Sequence, residues 1–326
     1  MRVLALFDGI SCGRVALERA GVPITAYYAS EVDPHAIAVS RSNYLDIIHL
    51  GDITKVKGSD LPPIDIILAG SPCQGFSNNG KKMGFDDDRS KLFWHFVRLV
   101  EECKPTWWLL ENVRMKKQWT DIISEVVGCE PIIINSALVS AQRRKRCYWT
   151  NIPFVGQPED KGLVLKDILE TSAAEEQPMT DKSGKSYCLT ATYAKCGNAK
   201  TGGTYESEII HNTARHQRTC VKVVGMTIDA NYDGAGNRIY SVDGKMATLT
   251  TSAPKVLTDF SGEPHPQMRK QVIKREHWRM LTPVECERLQ TLPDNYTAAV
   301  TNTQRYKALG NGWTVDVIAH LLKGIQ

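Results

Sequence analysis

Short apolar runs alternate with stretches of helical periodicity through the first half of the chain. Each run is nearly continuous in apolar residues, as the buried strands of a parallel sheet are. The strands predicted in this way are Val3–Phe7, Ile24–Ala29, Ile47–Leu50, Ile64–Ala69, Trp107–Leu110 and Ile132–Ile134. The helices predicted between them are Gly13–Ala20, Pro34–Asn43 and Ser90–Cys103. Strands that alternate with helices predict an α/β fold with a mostly parallel, doubly wound sheet.

The pattern changes after about Ile152. Gly, Ser, Thr, Asn and Lys become frequent and the apolar runs shorten, which is typical of a small, irregular domain. Regular periodicity resumes at Thr282, with predicted helices at Pro283–Gln290 and Val315–Ile325. We therefore expect a sheet domain at 1–152, an irregular domain at 153–278, and C-terminal helices at 279–326 that return to the sheet domain.

Composition and charge exclude only a few classes of protein. The chain has 40 Lys and Arg against 36 Asp and Glu, and its net charge of +4 permits nucleic-acid binding without requiring it. Basic islands at 81–82, 114–117, 143–146 and 269–279 either collect on one binding face or are ordinary solvated surface. No segment has the roughly 20 apolar residues of a membrane span, and we expect no secretion signal. The nine cysteines lack metal-type spacing, so we expect reduced thiols, no metal site and a cytoplasmic location.

The first predicted strand runs into the segment FDGISCG, which resembles a ligand-binding turn. Gly9 and Gly13 would let the backbone approach a ligand, and Glu31, at the end of the second strand, is placed for ribose hydroxyls. Asp52 follows the third strand. The glycine spacing is not G-x-G-x-x-G, which favours a nucleoside without pyrophosphate, such as S-adenosylmethionine. A purely structural turn and a dinucleotide oxidoreductase stay open as alternatives.

A candidate nucleophile and a candidate acid follow the next two strands. Cys73, in Gly70–Ser77, lies on a loop at the carboxyl edge of the sheet, where open α/β sheets bind their ligands. A cysteine attacks as its thiolate, which nearby basic groups favour. Glu111 ends the apolar run TWWLLE at the same edge. The alternatives are an inert packed cysteine and a surface carboxylate.

The segment QRRKR is the third candidate element. If it is extended, alternate members face the same side, so that Arg144 and Arg146 would offer two fixed cations to a ligand. The alternative is a generic basic surface run.

Taken together, the segments FDGISCG, SPCQGFS, ENV, QRRKR, RMLTPVECERLQTLPDNY and LGNGWTV resemble, in this order, those of the DNA cytosine-5 methyltransferase family. The opening and the GNGWTV segment are most similar to phage and prophage members, with a likeness to animal de novo enzymes. The resemblance covers the chain outside about 153–275. It implies a Rossmann-like fold that uses S-adenosyl-L-methionine and converts it to S-adenosyl-L-homocysteine.

The resemblance also implies roles for individual residues. Cys73 would add to C6 of a flipped cytosine, Glu111 would engage N3, and Arg144 and Arg146 would support the base. The implied cofactor contacts are Phe7, Asp8, Gly9, Ile10, Gly13, Glu31, Val32, Asp52, Ile53, Pro72, Asn311 and Trp313, with Ser77 a further neighbour of the site. Arg279 and Glu285 would brace the small domain. Cys12 and the pair Gly312 and Trp313 depart from the commoner family pattern.

The expected partner is double-stranded DNA, bound by a monomer through a target-recognition domain that corresponds to the irregular region. Candidate base-reading side chains in that region are Asn198, Lys200, Arg215, Gln217, Arg218, Asn231, Asn237 and Arg238. The alternatives are a transfer-RNA cytosine-5 methyltransferase, a catalytically inert DNA-binding regulator and a nicotinamide oxidoreductase. The expected setting is a bacterial or phage-infected cell, with base flipping as part of the reaction.

Overall fold

The computed structural model describes residues 1–72, 92–170 and 281–325, and the backbone of five short strands between 223 and 280. In the first of these parts the strands are β1 (Arg2–Leu6), β2 (Ala26–Ser30), β3 (Ile47–His49) and β4 (Ile66–Gly70). The second part adds β5 (Trp107–Val113), β6 (Ile132–Asn135), β7 (Gln142–Arg143) and β8 (Lys145–Thr150). The helices are α1 (Cys12–Arg19), α2 (Pro34–Asn43), α3 (Phe93–Cys103), α4 (Lys117–Val127), α5 (Pro283–Leu289), α6 (Asn302–Asn311) and α7 (Val315–Leu322).

Seven strands form one sheet in the order β3-β2-β1-β4-β5-β8-β6. Neighbours from β3 to β5 are parallel, whereas β8 is antiparallel to both β5 and β6. The order reverses between β1 and β4, and open α/β sheets bind their ligands outside the carboxyl ends of such strands. The predicted α/β class with a mostly parallel sheet is confirmed.

Helices cover both faces of this sheet. Val15 of α1, Val39 of α2 and Val317 of α7 belong to the core on one face, while Phe96 of α3 and Ile123 of α4 belong to the core on the other. The central parallel strands β1, β4 and β5 are buried on both sides along most of their length, which explains why they are continuous apolar runs in the sequence. The six predicted strands are confirmed to within one to three residues at their ends.

Among the described residues, the helices α4 and α6 were not predicted from the sequence. The α4 segment KQWTDIISEVV has an apolar face and ends at Gly128 in the left-handed conformation, so a helical signal was present. The α6 segment NTQRYKALGN buries only Arg305, Leu309 and Gly310, which leaves little periodicity to detect. The first residues predicted for α3, 90 and 91, lie outside the described residues.

The C-terminal helices join the core of the sheet domain. Ser136 Oγ, after β6, donates to Thr314 Oγ1 at 2.9 Å, and Arg19 of α1 pairs with Asp316 of α7 at 2.6 Å. At the start of α5, Thr282 accepts the N–H of Glu285 while the Glu285 carboxylate accepts the N–H of Thr282. This capping box gives Glu285 a structural role at the start of α5, while its expected bracing of the small domain stays a prediction.

Five short strands are described by their backbone alone. Strands β9 (Val223–Met226), β10 (Arg238–Tyr240), β12 (Lys255–Leu257) and β13 (Trp278–Met280) form a second sheet in the order β13-β12-β10-β9. Strand β11 (Met246–Ala247) pairs in parallel with β7. The candidate base-reading residues up to Asn237 lie outside the described residues. In the described parts of the chain, no helix combines the length and apolar character that a bilayer crossing needs.

Candidate active site

The turn between β1 and α1 holds its backbone in an uncommon conformation. Phe7, Gly9 and Ser11 have positive φ angles of 57°, 60° and 59°. Glycine adopts such angles freely, whereas a residue with a Cβ pays roughly 1–2 kcal/mol. Strained backbone persists where the surroundings enforce it, and it concentrates at ligand-binding sites. This turn is therefore a candidate ligand-binding loop.

Glu31 joins this turn to the loop after β2. Its Oε2 accepts the N–H of Gly9 at 2.8 Å, and its Oε1 accepts the N–H groups of Val32 and Asp33 at 2.7 and 2.8 Å. The N–H groups of Asp8, Gly9 and Ser11 are all engaged within the protein, so these three amides are not available to cradle a pyrophosphate. Oε1 already accepts two N–H groups, whereas Oε2 accepts one and keeps acceptor capacity for a hydroxyl group. The geometry favours a ribose here over a diphosphate, which argues against the oxidoreductase alternative.

Asp8 stabilises the same turn through hydrogen bonds of its carboxylate. Its Oδ2 accepts the Ser11 hydroxyl at 2.5 Å and its Oδ1 accepts the Tyr27 hydroxyl at 2.7 Å. Ser11 Oγ also lies 2.7 Å from Ser40 Oγ on α2. Burial raises the pKa of Asp8 to about 7 although both hydroxyl donors lower it, and the charge of Glu31 adds to the rise. Asp8 is thus placed to shape the turn rather than to project into a ligand site.

Other predicted cofactor residues differ in exposure. Val32 is 67 % exposed, beside the engaged carboxylate of Glu31. Asp52 lies beyond the end of β3, where a bond from the Thr54 N–H holds its pKa below the usual range. Gly51, the residue before Asp52, accepts a bond from Ser30 Oγ at its carbonyl at 2.8 Å. This bond joins the loops after β2 and β3. Three positions are buried: Ile10, Gly13 and Ile53.

Glu111 lies on β5, paired with Gly70 of β4 and Tyr148 of β8. It is only 8 % exposed. Arg146 Nε lies 3.1 Å from Glu111 Oε1, and the indole N–H of Trp313 donates to Oε2 at 3.1 Å. The two carboxylate oxygens therefore face a cation and an indole donor.

The loop that should carry the nucleophile starts next to this carboxylate. Asn112 Nδ2 donates to Ser71 Oγ at 2.8 Å, which fixes the first residue after β4 against β5. Half-buried Pro72 follows. Cys73 comes directly after Pro72 in the sequence, but Cys73 and Ser77 lie outside the described residues.

The two predicted arginines are both buried, and Lys145 between them is exposed. The alternation expected of an extended segment is present. Arg146 meets the carboxylate described above, whereas the Arg144 guanidinium donates to the carbonyls of Gly310 and Gly312 at 3.3 and 2.9 Å. Arg144 thus binds the backbone on both sides of Asn311, which is a contact that the sequence analysis did not foresee.

A buried amide network also escaped the sequence analysis. Gln142 Nε2 donates to Gln290 Oε1 at 2.8 Å, Thr314 Oγ1 donates to the same atom at 2.9 Å, and Gln290 Nε2 donates to the Leu309 carbonyl at 2.6 Å. These bonds fix the segment that carries half-buried Trp313. Gln142 is the first residue of the segment QRRKR and Gln290 directly follows α5, so the sequence marked the two residues by their position beside motifs. Among the described residues, no group of three or more His, Cys, Asp or Glu could hold a metal ion.

Comparisons with known proteins match the chain to a family over its full length. The family model for C-5 cytosine-specific DNA methylase matches residues 1–326. The chain is 26 % identical over 345 residues to the type II methyltransferase M.HhaI of Haemophilus parahaemolyticus, covering 100 % of this chain and 94 % of that relative. It is 33 % identical over 233 residues to the type II methyltransferase M.NgoBV of Neisseria gonorrhoeae, covering 62 % and 54 % of the two chains.

Two solved structures share the fold. The Dnmt2 methyltransferase of S. pombe superposes with a TM-score of 0.65 at 18 % identity, covering 100 % of this chain and 99 % of the other. A protein described as a DNA modification methyltransferase encoded within an E. coli prophage superposes with a TM-score of 0.61 at 21 % identity, covering 100 % and 98 %.

Proposed function

Because the chain belongs to the family of C-5 cytosine-specific DNA methylases, we propose that it methylates C5 of a cytosine in duplex DNA, using S-adenosyl-L-methionine. The membership confirms the resemblance carried by the sequence motifs. One observation supports the proposed chemistry above the others: Glu111, at the carboxyl edge of the sheet, is held between Arg146 and Trp313 beside the loop that leads to Cys73.

The reaction needs both a nucleophile and an acid because C5 of cytosine is a poor nucleophile. The Cys73 thiolate adds to C6, and the electron pair of the C5–C6 double bond becomes available at C5. Glu111 donates a hydrogen bond or a proton at N3, which takes up the developing negative charge. The bound cofactor supplies an electrophilic methyl group on a sulfonium centre. Loss of the C5 proton to a base and expulsion of the Cys73 thiolate then restore the double bond.

The two arginines have separate roles in this proposal. Arg146 orients the Glu111 carboxylate directly. Arg144 is a positioning residue, because it holds the carbonyls on either side of Asn311. In both cases the arginine preorganises the site, because it holds polar groups in place before the reaction begins.

The residues around the β1–α1 turn fit the nucleoside part of S-adenosyl-L-methionine. Oε2 of Glu31 accepts one N–H and keeps acceptor capacity for a ribose hydroxyl. Exposed Val32 offers an apolar surface to the adenine, and the rings of Phe7 and Trp313 are suited to a sulfonium cation. Asp8 would act through the shape of the turn.

The DNA partner would be held by basic side chains at the same edge. Arg114 and Lys116, after β5, and Lys145, at the start of β8, are exposed. Phosphate contacts of this kind offset the few kcal/mol of stacking that a flipped base loses. We propose that residues 153–278 form the target-recognition domain and that the enzyme acts as a cytoplasmic monomer.

Label transfer from methyl-tritiated S-adenosyl-L-methionine tests the proposal. We expect incorporation into duplex DNA, none into transfer RNA, and a loss of incorporation in the Glu111→Gln variant. Incorporation into RNA alone would defeat the DNA substrate. Binding of duplex DNA without any incorporation would favour the inert regulator.

A further inference from the structure

The indole of Trp313 lies in the crevice where the strand order reverses. A Cβ built on Gly70, the last residue of β4, would lie 2.8 Å from Trp313 Nε1. A Cβ built on Gly13 of α1 would lie 3.5 Å from Trp313 Cζ3. The ring therefore bridges the β1–α1 turn and the end of β4, and at Gly70 it leaves no room for a side chain.

The same indole reaches the proposed acid of the reaction. Its N–H donates to Glu111 Oε2 at 3.1 Å, opposite the Arg146 contact to Oε1. Glu111 and Trp313 are 202 residues apart in the sequence. With a cation at one oxygen, an indole donor at the other and little exposed surface, the carboxylate has few alternative orientations.

The backbone around Trp313 is fixed independently of the indole. The Gly312 carbonyl accepts bonds from Arg144 at 2.9 Å and from Gln290 at 3.2 Å. On the other side, Thr314 is held by Ser136 and by Gln290 at 2.9 Å each. Because these bonds fix the backbone on both sides of Trp313, the indole is held in place and can determine the orientation of the Glu111 carboxylate.

We propose that Trp313 is a positioning residue for methyl transfer: its N–H orients the Glu111 carboxylate toward the base, while its ring lines the cofactor crevice. One side chain then joins the cofactor site to the base site. This inference rests on the proposed function and adds a residue to its mechanism.

The Trp313→Phe variant separates the two parts of the indole, because it keeps an aromatic ring and removes the N–H. We expect kcat on duplex DNA to fall about tenfold or more, as for loss of a hydrogen bond to a charged group. The Kd for S-adenosyl-L-homocysteine, measured by calorimetry, should change less than about threefold, since the ring remains.

A matched control is Trp149→Phe. Trp149 is fully buried and its indole donates to Ser124 Oγ at 3.0 Å, so the change removes one buried indole bond without altering the Glu111 contacts. Because Trp149 is fully buried, we expect a loss of Tm at least as large as in Trp313→Phe, and a kcat within about twofold of the parent chain. A kcat loss in Trp149→Phe equal to that in Trp313→Phe would reduce the effect to general destabilisation and overturn the proposal.

Gly70→Ala tests the geometry with the indole chemically intact. The added methyl group would push Nε1 away from Glu111, so kcat should fall as in Trp313→Phe. Because both changes break one contact, the double variant should be no slower than the slower single variant. Losses that multiply would contradict a shared contact, and this variant also serves if Trp313→Phe does not fold.

The outcomes distinguish this inference from the proposed function. If the parent chain transfers no methyl group to duplex DNA, the proposed function fails. If the parent chain is active and Trp313→Phe keeps its kcat, or loses only cofactor affinity, the role of Trp313 fails while the proposed function stands.

Discussion

Replacing Asp8 by Asn should stabilise the folded chain at alkaline pH although it removes a charged residue from the candidate site. In the folded chain the Asp8 carboxyl keeps its proton up to a pKa of about 7, whereas the ordinary value is 3.8. The unfolded chain therefore loses this proton first, and the free energy of unfolding falls as the pH rises from about 4 to 7. An asparagine carries no such penalty at any pH.

The magnitude follows from the two pKa values. A difference of about 3 pKa units, at about 1.4 kcal/mol each, corresponds to about 4 kcal/mol above pH 7. Asp8 is only partly buried as a residue, and an amide has one oxygen for the two hydroxyl donors Ser11 and Tyr27. We therefore expect a gain of about 2 kcal/mol at about pH 8, falling to roughly a third of that at about pH 5.

Urea unfolding followed by circular dichroism at about pH 5 and pH 8 measures this difference. Asp60→Asn is the matched control, because Asp60 is exposed and its replacement should change stability by less than about 0.5 kcal/mol at both values. An Asp8→Asn variant that is destabilised equally at both pH values would refute the reasoning. It would mean that Asp8 is ionised and held as a carboxylate in the folded chain.

Three further predictions follow from named contacts. Glu287 is fully buried and accepts bonds from Arg305 and from two backbone N–H groups, so Glu287→Gln should lower the free energy of unfolding in urea by about 3–5 kcal/mol. The control Glu18→Gln, at an exposed ion pair with Arg14, should lower it by less than about 1 kcal/mol. Equal losses would contradict the burial argument. Glu31→Gln places an NH2 group against backbone donors, so calorimetry should show at least about a tenfold weaker Kd for S-adenosyl-L-homocysteine, and an unchanged Kd would remove Glu31 from the cofactor site. Arg146→Lys loses the planar guanidinium and should lower kcat about tenfold with cofactor affinity retained; a normal kcat would show that any cation suffices there.

The central strands of the sheet could be predicted because a strand that is buried on both faces has apolar residues at successive positions, without polar residues between them. Val3, Ile66 and Leu109 are all fully buried, and each belongs to an apolar run visible in the sequence. The carboxylate at Glu111 was predictable for a related reason, since it interrupts such a run at the edge where ligands bind.

The contacts between distant segments could not be predicted in the same way. No periodicity links Trp313 to Glu111 or Arg144 to Gly312, since each contact depends on how the C-terminal helices return to the sheet. The sequence marked Arg144 as a cation for the ligand, and in the structure its guanidinium is bonded to main-chain carbonyls. Spacing within a motif indicates which side chains share a face, but not which remote backbone meets them.

Covalent trapping with duplex DNA that contains 5-fluorocytosine, in the presence of S-adenosyl-L-methionine, tests whether Cys73 bonds to the cytosine ring. Fluorine cannot leave C5 as a cation, so the thioether between Cys73 and C6 should persist and survive denaturing electrophoresis. The proposed role of Cys73 predicts an adduct with the parent chain and with Cys129→Ala, and none with Cys73→Ala. An adduct, or undiminished methylation of ordinary cytosine, in the Cys73→Ala variant would contradict it.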